Sequence, residues 1–520
     1  MKTRQNKMIY MAFCALAALT LASSLVSCKK VTVTADDGTE KKVSVRKLRN
    51  QDIDTAIEYI TQAYAPYDDA VKQGFDIKKA RRTMKWKYTE GSLSHKYINR
   101  NKREYKIING LDNWAMAWAV GRVFDNFPVK DRHFSVWGID NTGFGWNHEF
   151  MGFADIMFEK EGDDYVVSFS NADGIRRGMR FTGDVENMRK ISYGGRDLYR
   201  FGIFPPDYTG AAEVSLDGKS FSVPLHYNTS VAEPSAPAGF LETEDAVYVS
   251  LKSFFMGEDK EKDVYDAATG EFYDVLDKVK ACAANKKSAI IDLRGNGGGY
   301  GSYGADLLAA VFYGDNEGKV KQFPAIARQY EYGALTLESP VTMKRRYDEI
   351  MNSDNFDQDA KRSISEKYQY ALKNGKRLWD GLDKPVINEI PQLNNAEFKG
   401  KVYILMDEGS GSATENTIAL SYADNKDMIV LVGMNSSGCI DFGDVYTYEL
   451  PNSKVKMHLA GADMRRIPVF SQNPHWHGDT KGFFPDYWAT NAELLDTLVS
   501  LTGDSALRTA LKGLEKGQLQ

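Results

Sequence analysis

At 520 residues with 42% hydrophobic and 12% aromatic content, the chain can fill a large core and is long enough for about two to four domains. Its 66 basic and 71 acidic residues leave a formal net charge of -5, a near balance that points away from nucleic acid and from a polybasic membrane surface.

The N-terminus has the charged-then-apolar order of a secretory signal. Lys2, Arg4 and Lys7 precede an apolar run from Met8 to Leu25, which ends in Leu25-Val26-Ser27-Cys28 before Lys29-Lys30. The run is short and wrongly flanked for a membrane span, although an uncleaved signal anchor has the same order. Leu-x-Ser-Cys here resembles the bacterial lipobox, which implies lipidation of Cys28 as the first residue of a mature envelope protein, on the periplasmic or surface face. Loss of the signal (1–27) also removes Cys14 and leaves Cys282 and Cys439 as the thiols of the folded body. Neither has a Cys or His at ligand spacing, so no disulfide framework, zinc site or other cofactor is implied.

Residues 28–49 are polar and charged and read as a tether. From Asn50, a helix cap, Ile53, Ala56, Ile57 and Ile60 recur at helical spacing, so 50–130 reads as a helical N-terminal region. Beyond it, short aromatic and β-branched runs split by Gly and Asp, such as "DDYVVSFSNADGIRRGMRFTGDV" and "AAEVSLDGKSFSVPLHY", predict a β-rich region over 131–240.

Two strand-to-loop-to-helix segments follow. In "KKSAIIDLRGNGGGYGSYGADLLAAVF", the apolar run Ser288 to Leu293 predicts a buried strand and Ala305 to Phe312 a helix. Glycine loops before helices can cradle phosphate, but no Gly-Lys-Ser/Thr ending is present. The formal Gly-x-Gly-x-x-Gly from Gly299 to Gly304 starts too late after the strand for a dinucleotide turn. Adjacent glycines at 297 to 299 suit a loop whose backbone N–H groups approach a reacting atom without side-chain hindrance. In "KVYILMDEGSGSATENTIAL", an apolar strand breaks at Asp407-Glu408-Gly409-Ser410-Gly411-Ser412 and a helix starts at Ala413. Ser412 there is either a helix N-cap or a nucleophile raised on a strand-to-helix turn.

"IIDLRGNGGG", then "VYILMDEGSGSATENTIALSYADNKDMIVLVGMNSSG", then "YTYELPNS" resemble, in order and identity, the C-terminal-processing and tricorn-type serine peptidases, the tail-specific protease family. The resemblance runs from about Ala246 to Tyr487 and implies an α/β catalytic domain of the ClpP/crotonase-like kind over 241–500, with a tail at 501–520. "DDYVVSFSNADGIRRGMRFTGDV" is similar to the start of a PDZ-like domain, with its Gly-Leu-x-x-Gly-Asp core degraded to Gly174-Ile175-Arg176-Arg177-Gly178-Met179. Carried over by motif, Ser412 is the nucleophile and Ser410 its neighbouring confounder. The N–H groups of Gly297, Gly298 and Ala413 would form the oxyanion hole, where losing one donor typically costs ~10²–10³ in rate. The implied reaction is endoproteolysis of a polypeptide substrate through a Ser412 acyl-enzyme. Between the two loops, 314–393 is a mainly helical insertion, predicted to act as a lid or substrate platform.

The general base departs from the pattern. Ser–Lys members carry lysine in a Gly-x-x-Thr-x-Gly-Lys turn, and Cys439 stands in its place here, after Gly433-Met434-Asn435-Ser436-Ser437-Gly438. Lys426, Lys454 and Lys456 are near only in sequence and read as solvated side chains. Tricorn-type relatives use histidine, and His133 in "FPVKDRHFSVWG" resembles their Asp-x-His turn, an assignment to weigh against a structural histidine. His475 and His477 in "NPHWHGDTKGFFPDYW" are the other source, with Asp479 placed to orient a base. His-x-His without a third ligand does not make a zinc site. A histidine base predicts activity rising with pH near roughly 6.5. The lost lysine also fits a second class, a non-catalytic peptide- or ligand-binding lipoprotein on the same fold, as in the retinoid-binding protein of the eye.

Overall fold

The computed structural model describes residues 30–34, 39–98, 107–138, 143–205, 210–228, 238–254, 262–323, 334–353, 356–379, 396–422 and 426–515. Contacts divide the chain into two units. The signal segment and Cys28 lie outside the described residues. Among the described residues no helix is long and apolar enough to cross a membrane.

The first unit gathers 1–146, 335–379 and 442–463. Its helices Val45–Ala63, Ile77–Ile98 and Asn113–Gly121 bury Ile53, Ala56, Ile60, Met84, Met116 and Val120 in one core. The residues expected to form a tether are ordered differently. Lys30–Thr34 and Glu40–Ser44 pair as an antiparallel hairpin, and Val31, Val33 and Val43 pack against the helical core. The period-2 valines had the pattern of a half-buried strand among charged neighbours. The first helix starts at Val45, its cap Ser44 accepting from Lys47 N–H at 3.3 Å, so Asn50 sits inside it.

A sheet of Arg377–Trp379, Leu335–Glu338, Lys456–Asp463, Ser135–Trp137 and Gly143–Gly145, with Phe442–Glu449 paired to Lys456–Asp463, completes this unit. Two sequence boundaries therefore shift. The start of the β-rich stretch at 131 belongs here. So does the inner part of the 314–393 insertion, whose helices Pro340–Met351 and Gln358–Asn374 stand between two strands of the unit's own sheet.

The second unit holds 147–334, 380–441 and 464–520. Gly152–Glu161, Asp164–Ser170, Met188–Tyr193, Arg196–Ile203, Ala211–Leu216 and Lys219–His226 form an antiparallel sheet. Among its described residues this module has a single 3-10 turn, Val185–Asn187, and no α-helix. Met151, Phe153, Ile191 and Leu198 from this part of the unit share a core with Met434 and Trp488.

The remaining sheet has the order Ala238–Glu242, Ala246–Leu251, Ser288–Asp292, Lys401–Met406, Ile429–Gly433, Tyr487–Trp488. Its first pair is antiparallel and the rest are parallel. Ile290 and Tyr403 are direct partners, so the strands expected to carry the two loops lie side by side. Ser288–Asp292 is buried at every position, as a parallel strand covered on both faces requires. The expected C-terminal tail is folded as far as residue 515. Helix Ser505–Glu515 places Leu507 and Leu511, one turn apart, in the core beneath this sheet.

Candidate active site

Both loops leave the carboxyl ends of neighbouring parallel strands, where open α/β sheets form their sites. Buried polar side chains sew them together. Asp407 Oδ1 accepts from Gly295 N–H at 2.8 Å and Gly409 N–H at 3.0 Å. Ser410 Oγ donates to Leu293 O at 2.8 Å and accepts from Asp407 N–H at 3.0 Å. Gly411 N–H donates to Asn296 O at 2.9 Å. Ser410 is fully buried, and its hydroxyl joins the two loops.

Ser412 follows with φ 54° and ψ -120°, a conformation that side-chain-bearing residues rarely adopt and that persists only where the surroundings impose it. The helix Ala413–Ser421 starts at the next residue. Ser412 N–H donates to Glu415 Oε2 at 3.1 Å and lies 3.0 Å from Cys439 Sγ. Gly298, at φ 101°, packs against this turn. A Cβ there would fall 2.7 Å from Gly411 O, 2.8 Å from Ala413 N and 2.9 Å from Ser412 Cβ. Gly304 has a comparable reason: a Cβ would lie 1.8 Å from Thr417 Oγ1, so the Gly-x-Gly-x-x-Gly match reflects close helix packing between Gly301–Tyr313 and Ala413–Ser421. Replacing Gly298 with Ala is expected to displace the Ser412 turn. A shift approaching 1 Å at a reacting group costs on the order of 10² in rate, measurable as a fall in kcat in a variant whose circular dichroism is unchanged.

Of the expected oxyanion donors, Gly298 N–H is bonded to Asn296 Oδ1 at 3.0 Å. Among the described residues, Gly297 and Ala413 N–H have no acceptor within the protein, and the space beside Gly297 is open. Ala413 N–H is a first-turn helix donor, of the kind that binds anions.

Residues 245–462 match the model of peptidase family S41. Over those residues the chain carries a serine-type peptidase domain of the tail-specific protease kind. Among solved structures, mature CPAF complexed with lactacystin aligns at 11% identity over 91% of this chain and 99% of its own, with a TM-score of 0.40. The photosystem II D1 C-terminal processing protease aligns at 11% identity over 89% and 99%, TM-score 0.34. An S41 protease from Bacteroides fragilis aligns at 13% identity over 89% and 96%, TM-score 0.32. No curated protein matches the sequence.

In this peptidase the position expected for lysine holds a buried thiol beside the nucleophile turn. Burial pushes the Cys439 thiol well above its usual range, and the Glu415 and Asp479 carboxylates push the same way. A neutral thiol cannot take the serine proton. Glu415, the third residue after Ser412 in a Ser-x-x-Glu pattern, is fully buried. Its carboxylate accepts from Ser436 Oγ at 2.5 Å, Gly438 N–H at 2.7 Å, Cys439 N–H at 2.8 Å and Ser412 N–H. Burial raises its pKa against those bonds. Glu415 thus fixes the Cys439 turn to the Ser412 turn. Because the thiol does no proton transfer, Cys439→Ser is expected to leave kcat and its pH profile close to wild type, checked by peptide hydrolysis across pH.

The histidines separate by location. His133 belongs to the first unit and Ser412 to the second. Its backbone is set by an Asp-turn: Asp131 Oδ1 accepts from His133 N–H at 2.9 Å, and Asp131 is itself buried. Burial pushes the His133 imidazole down to about 4, nearby Arg132 adding to this and a bond with the Phe442 backbone opposing it. That base would be neutral across the physiological range, which moves the expected activity limb below the 6.5 of a free histidine.

His475 Nδ1 lies 2.9 Å from Phe484 O, and His477 stacks on Phe484 at 3.6 Å. Asp479 Oδ1 accepts from Ile440 N–H at 3.1 Å and Asp441 N–H at 3.0 Å. It holds the backbone just after Cys439. His148 escaped sequence reasoning. Its Nε2 lies 3.1 Å from Asn435 Nδ2 and its Nδ1 3.0 Å from Ser437 O, so the amide donation makes Nε2 the acceptor and Nδ1–H the donor. It braces the Asn435–Cys439 turn from 289 residues away, and no local pattern announces such a contact. Among the described residues no group of three or more His, Cys, Asp and Glu could hold a metal ion.

Proposed function

We propose that this peptidase is an endopeptidase that cleaves polypeptides through an acyl-enzyme on Ser412, with His133 as general base. The observation that carries the reading is the Ser412 turn itself: a positive-φ serine at a helix start, lodged against Gly298 and followed by the first-turn N–H of Ala413. Ser412 Oγ attacks the scissile carbonyl, and the carbonyl oxygen gains negative charge where that N–H can donate to it. His133, neutral at working pH, takes the hydroxyl proton and returns it to the leaving amine. Water then hydrolyses the ester by the reverse proton path. Cys439 gives the alternative of a non-catalytic binding protein its one support, since the dyad lysine is missing. A histidine base removes the need for that lysine. Pre-steady-state hydrolysis of an activated peptide ester should show a burst equivalent to one acyl group per chain. Slow linear release with no burst, at the rate of Ser412→Ala, would favour the binding protein.

The signal order and Leu-x-Ser-Cys motif support a lipid anchor at Cys28 that holds the enzyme at the bacterial envelope, facing periplasm or surface. Cells fed a radiolabelled fatty acid should label the wild-type chain and not Cys28→Ala. Equal labelling of both would remove the anchor from the account.

A further inference from the structure

The near balance of acid and base in the whole chain conceals a local excess of cations. In the first unit, helix Ile77–Ile98 carries Lys78, Lys79, Arg81, Arg82, Lys85 and Lys87 against Glu90. Ala80, Met84 and Tyr88, each one turn from the next, are buried in the helical core, which turns the opposite face outward. Lys78, Arg82 and Trp86 follow on that outer face at the same spacing, and all three are exposed. Trp86 is 60% exposed, an indole in a cationic stripe. That pairing is what amphipathic helices present to a membrane interface.

The acidic side chains close by are occupied. Asp76 accepts the Lys78 and Lys79 N–H groups at 2.8 and 3.1 Å. Asp54 pairs with Arg81, and Glu90 with Lys87 at 3.0 Å. Among the described residues no carboxylate forms an ion pair with Arg46, Lys78, Lys79, Arg82 or Lys85. Lys85 registers the crowding of cations: burial and then Arg81 push its pKa down, Arg49 and Arg46 add to this, and Asp54 opposes it.

Arg46 joins this patch to the start of the fold. It lies in the first turn of helix Val45–Ala63, just after Ser44, whose partner in the hairpin is Lys30. Cys28 stands two residues before Lys30, so the chain can carry it no more than about 7 Å from there. A lipid on Cys28 would therefore leave the fold beside Arg46, at the edge of the cationic cluster.

We propose that the face of helix Ile77–Ile98 bearing Lys78, Arg82, Lys85 and Trp86 docks on an anionic lipid bilayer, the surface that holds Cys28, and seats the first unit against it. The choice of a membrane rests on the lipid anchor, while the cations and the indole supply an attraction of their own. Each Lys or Arg near an anionic leaflet favours binding by about fivefold, and Trp86 takes the headgroup level, where tryptophan is enriched.

The test uses the chain from Lys29 onward, which keeps every described residue and cannot be acylated at position 28. It is sedimented with vesicles of phosphatidylcholine, with and without phosphatidylglycerol. Wild type should sediment with the anionic vesicles only, and be released as salt rises. Arg82→Gln combined with Lys85→Gln should weaken binding about 25-fold. Trp86→Ala should weaken it with the salt dependence of wild type retained. Lys219→Gln combined with Lys373→Gln, two exposed cations elsewhere, should bind as wild type does. Should the Arg82 and Lys85 variant melt early, Trp86→Ala decides alone: weaker binding supports the face and unchanged binding overturns it. Equal losses from the two paired variants would overturn it too, as would retention on heparin without binding to either vesicle, which assigns the cations to a different acidic partner. Failure of Cys28 to take up fatty acid would remove the anchor and leave the vesicle result standing, so the two readings fail separately.

Discussion

Ser412→Ala is expected to abolish peptide hydrolysis, with kcat falling by about 10⁶, as removal of a serine nucleophile does where the rest of the machinery acts only together with it. Folding should be retained. The side chain removed is small, and Ser412 N–H keeps its bonds to Glu415 and Cys439. The strained backbone at φ 54° stays strained with alanine, since both residues carry a Cβ, so thermal stability should fall only by the about 1 kcal/mol of the lost capping bond to the Glu415 N–H while activity disappears. Ser410→Ala should behave in the opposite way. Its hydroxyl joins Leu293 O to Asp407 N–H, and an unsatisfied buried partner costs about 1–3 kcal/mol. That variant should melt earlier yet remain able to form an acyl-enzyme when folded.

The second large effect concerns the base. His133→Ala should lower kcat by about 10²–10⁴ with little change in KM, the usual contribution of a positioned proton acceptor. The sign of the pH dependence follows from its environment. A general base works in its neutral form, and burial holds the His133 pKa down to about 4. The rate should therefore rise through about pH 4 and be flat from pH 6 to 8, instead of rising near 6.5 as for an unperturbed imidazole. Full activity in His133→Ala, with loss on replacing His475, His477 or Asp479, would move the base to the C-terminal segment. The contacts of those three argue for structural duty: ring stacking on Phe484, a backbone carbonyl, and the Ile440 and Asp441 amides.

What could be read from the chain depended on how local the signal was. The two strand-to-helix loops were legible because buried strands, glycine runs and helix starts are written within a few residues, whereas the direct pairing of Ile290 with Tyr403 is not. The role of Glu415 was half legible, as a Ser-x-x-Glu pattern whose carboxylate reaches both its own cap and a distant turn. Asp407 and Asn296 were not, since an Asp or Asn beside glycine in a loop reads as turn chemistry. Only the adjacency of two strands more than a hundred residues apart turns them into the bonds that align the site. The hairpin Lys30–Thr34 with Glu40–Ser44 was missed because its valines alternate with charge, and composition outweighed period. The helix holding Leu507 and Leu511 lies in a stretch without long apolar runs, which reads as a tail, although a spacing of four is what a docked helix needs. The insertion was placed by its helices, while its membership of the first unit is fixed by two short edge pairings, Thr336 with Ala462 and Leu337 with Leu378, which no sequence window spans.

The most direct test of the central claim is to map the covalent adduct. The full chain is incubated with a fluorophosphonate, digested and sequenced by mass spectrometry. The account predicts a single phosphonyl group on Ser412, absent from Ser412→Ala and formed more slowly in His133→Ala. Folded protein that stays unmodified, or an adduct on Ser410 or another residue while Ser412→Ala still hydrolyses peptides, would contradict it.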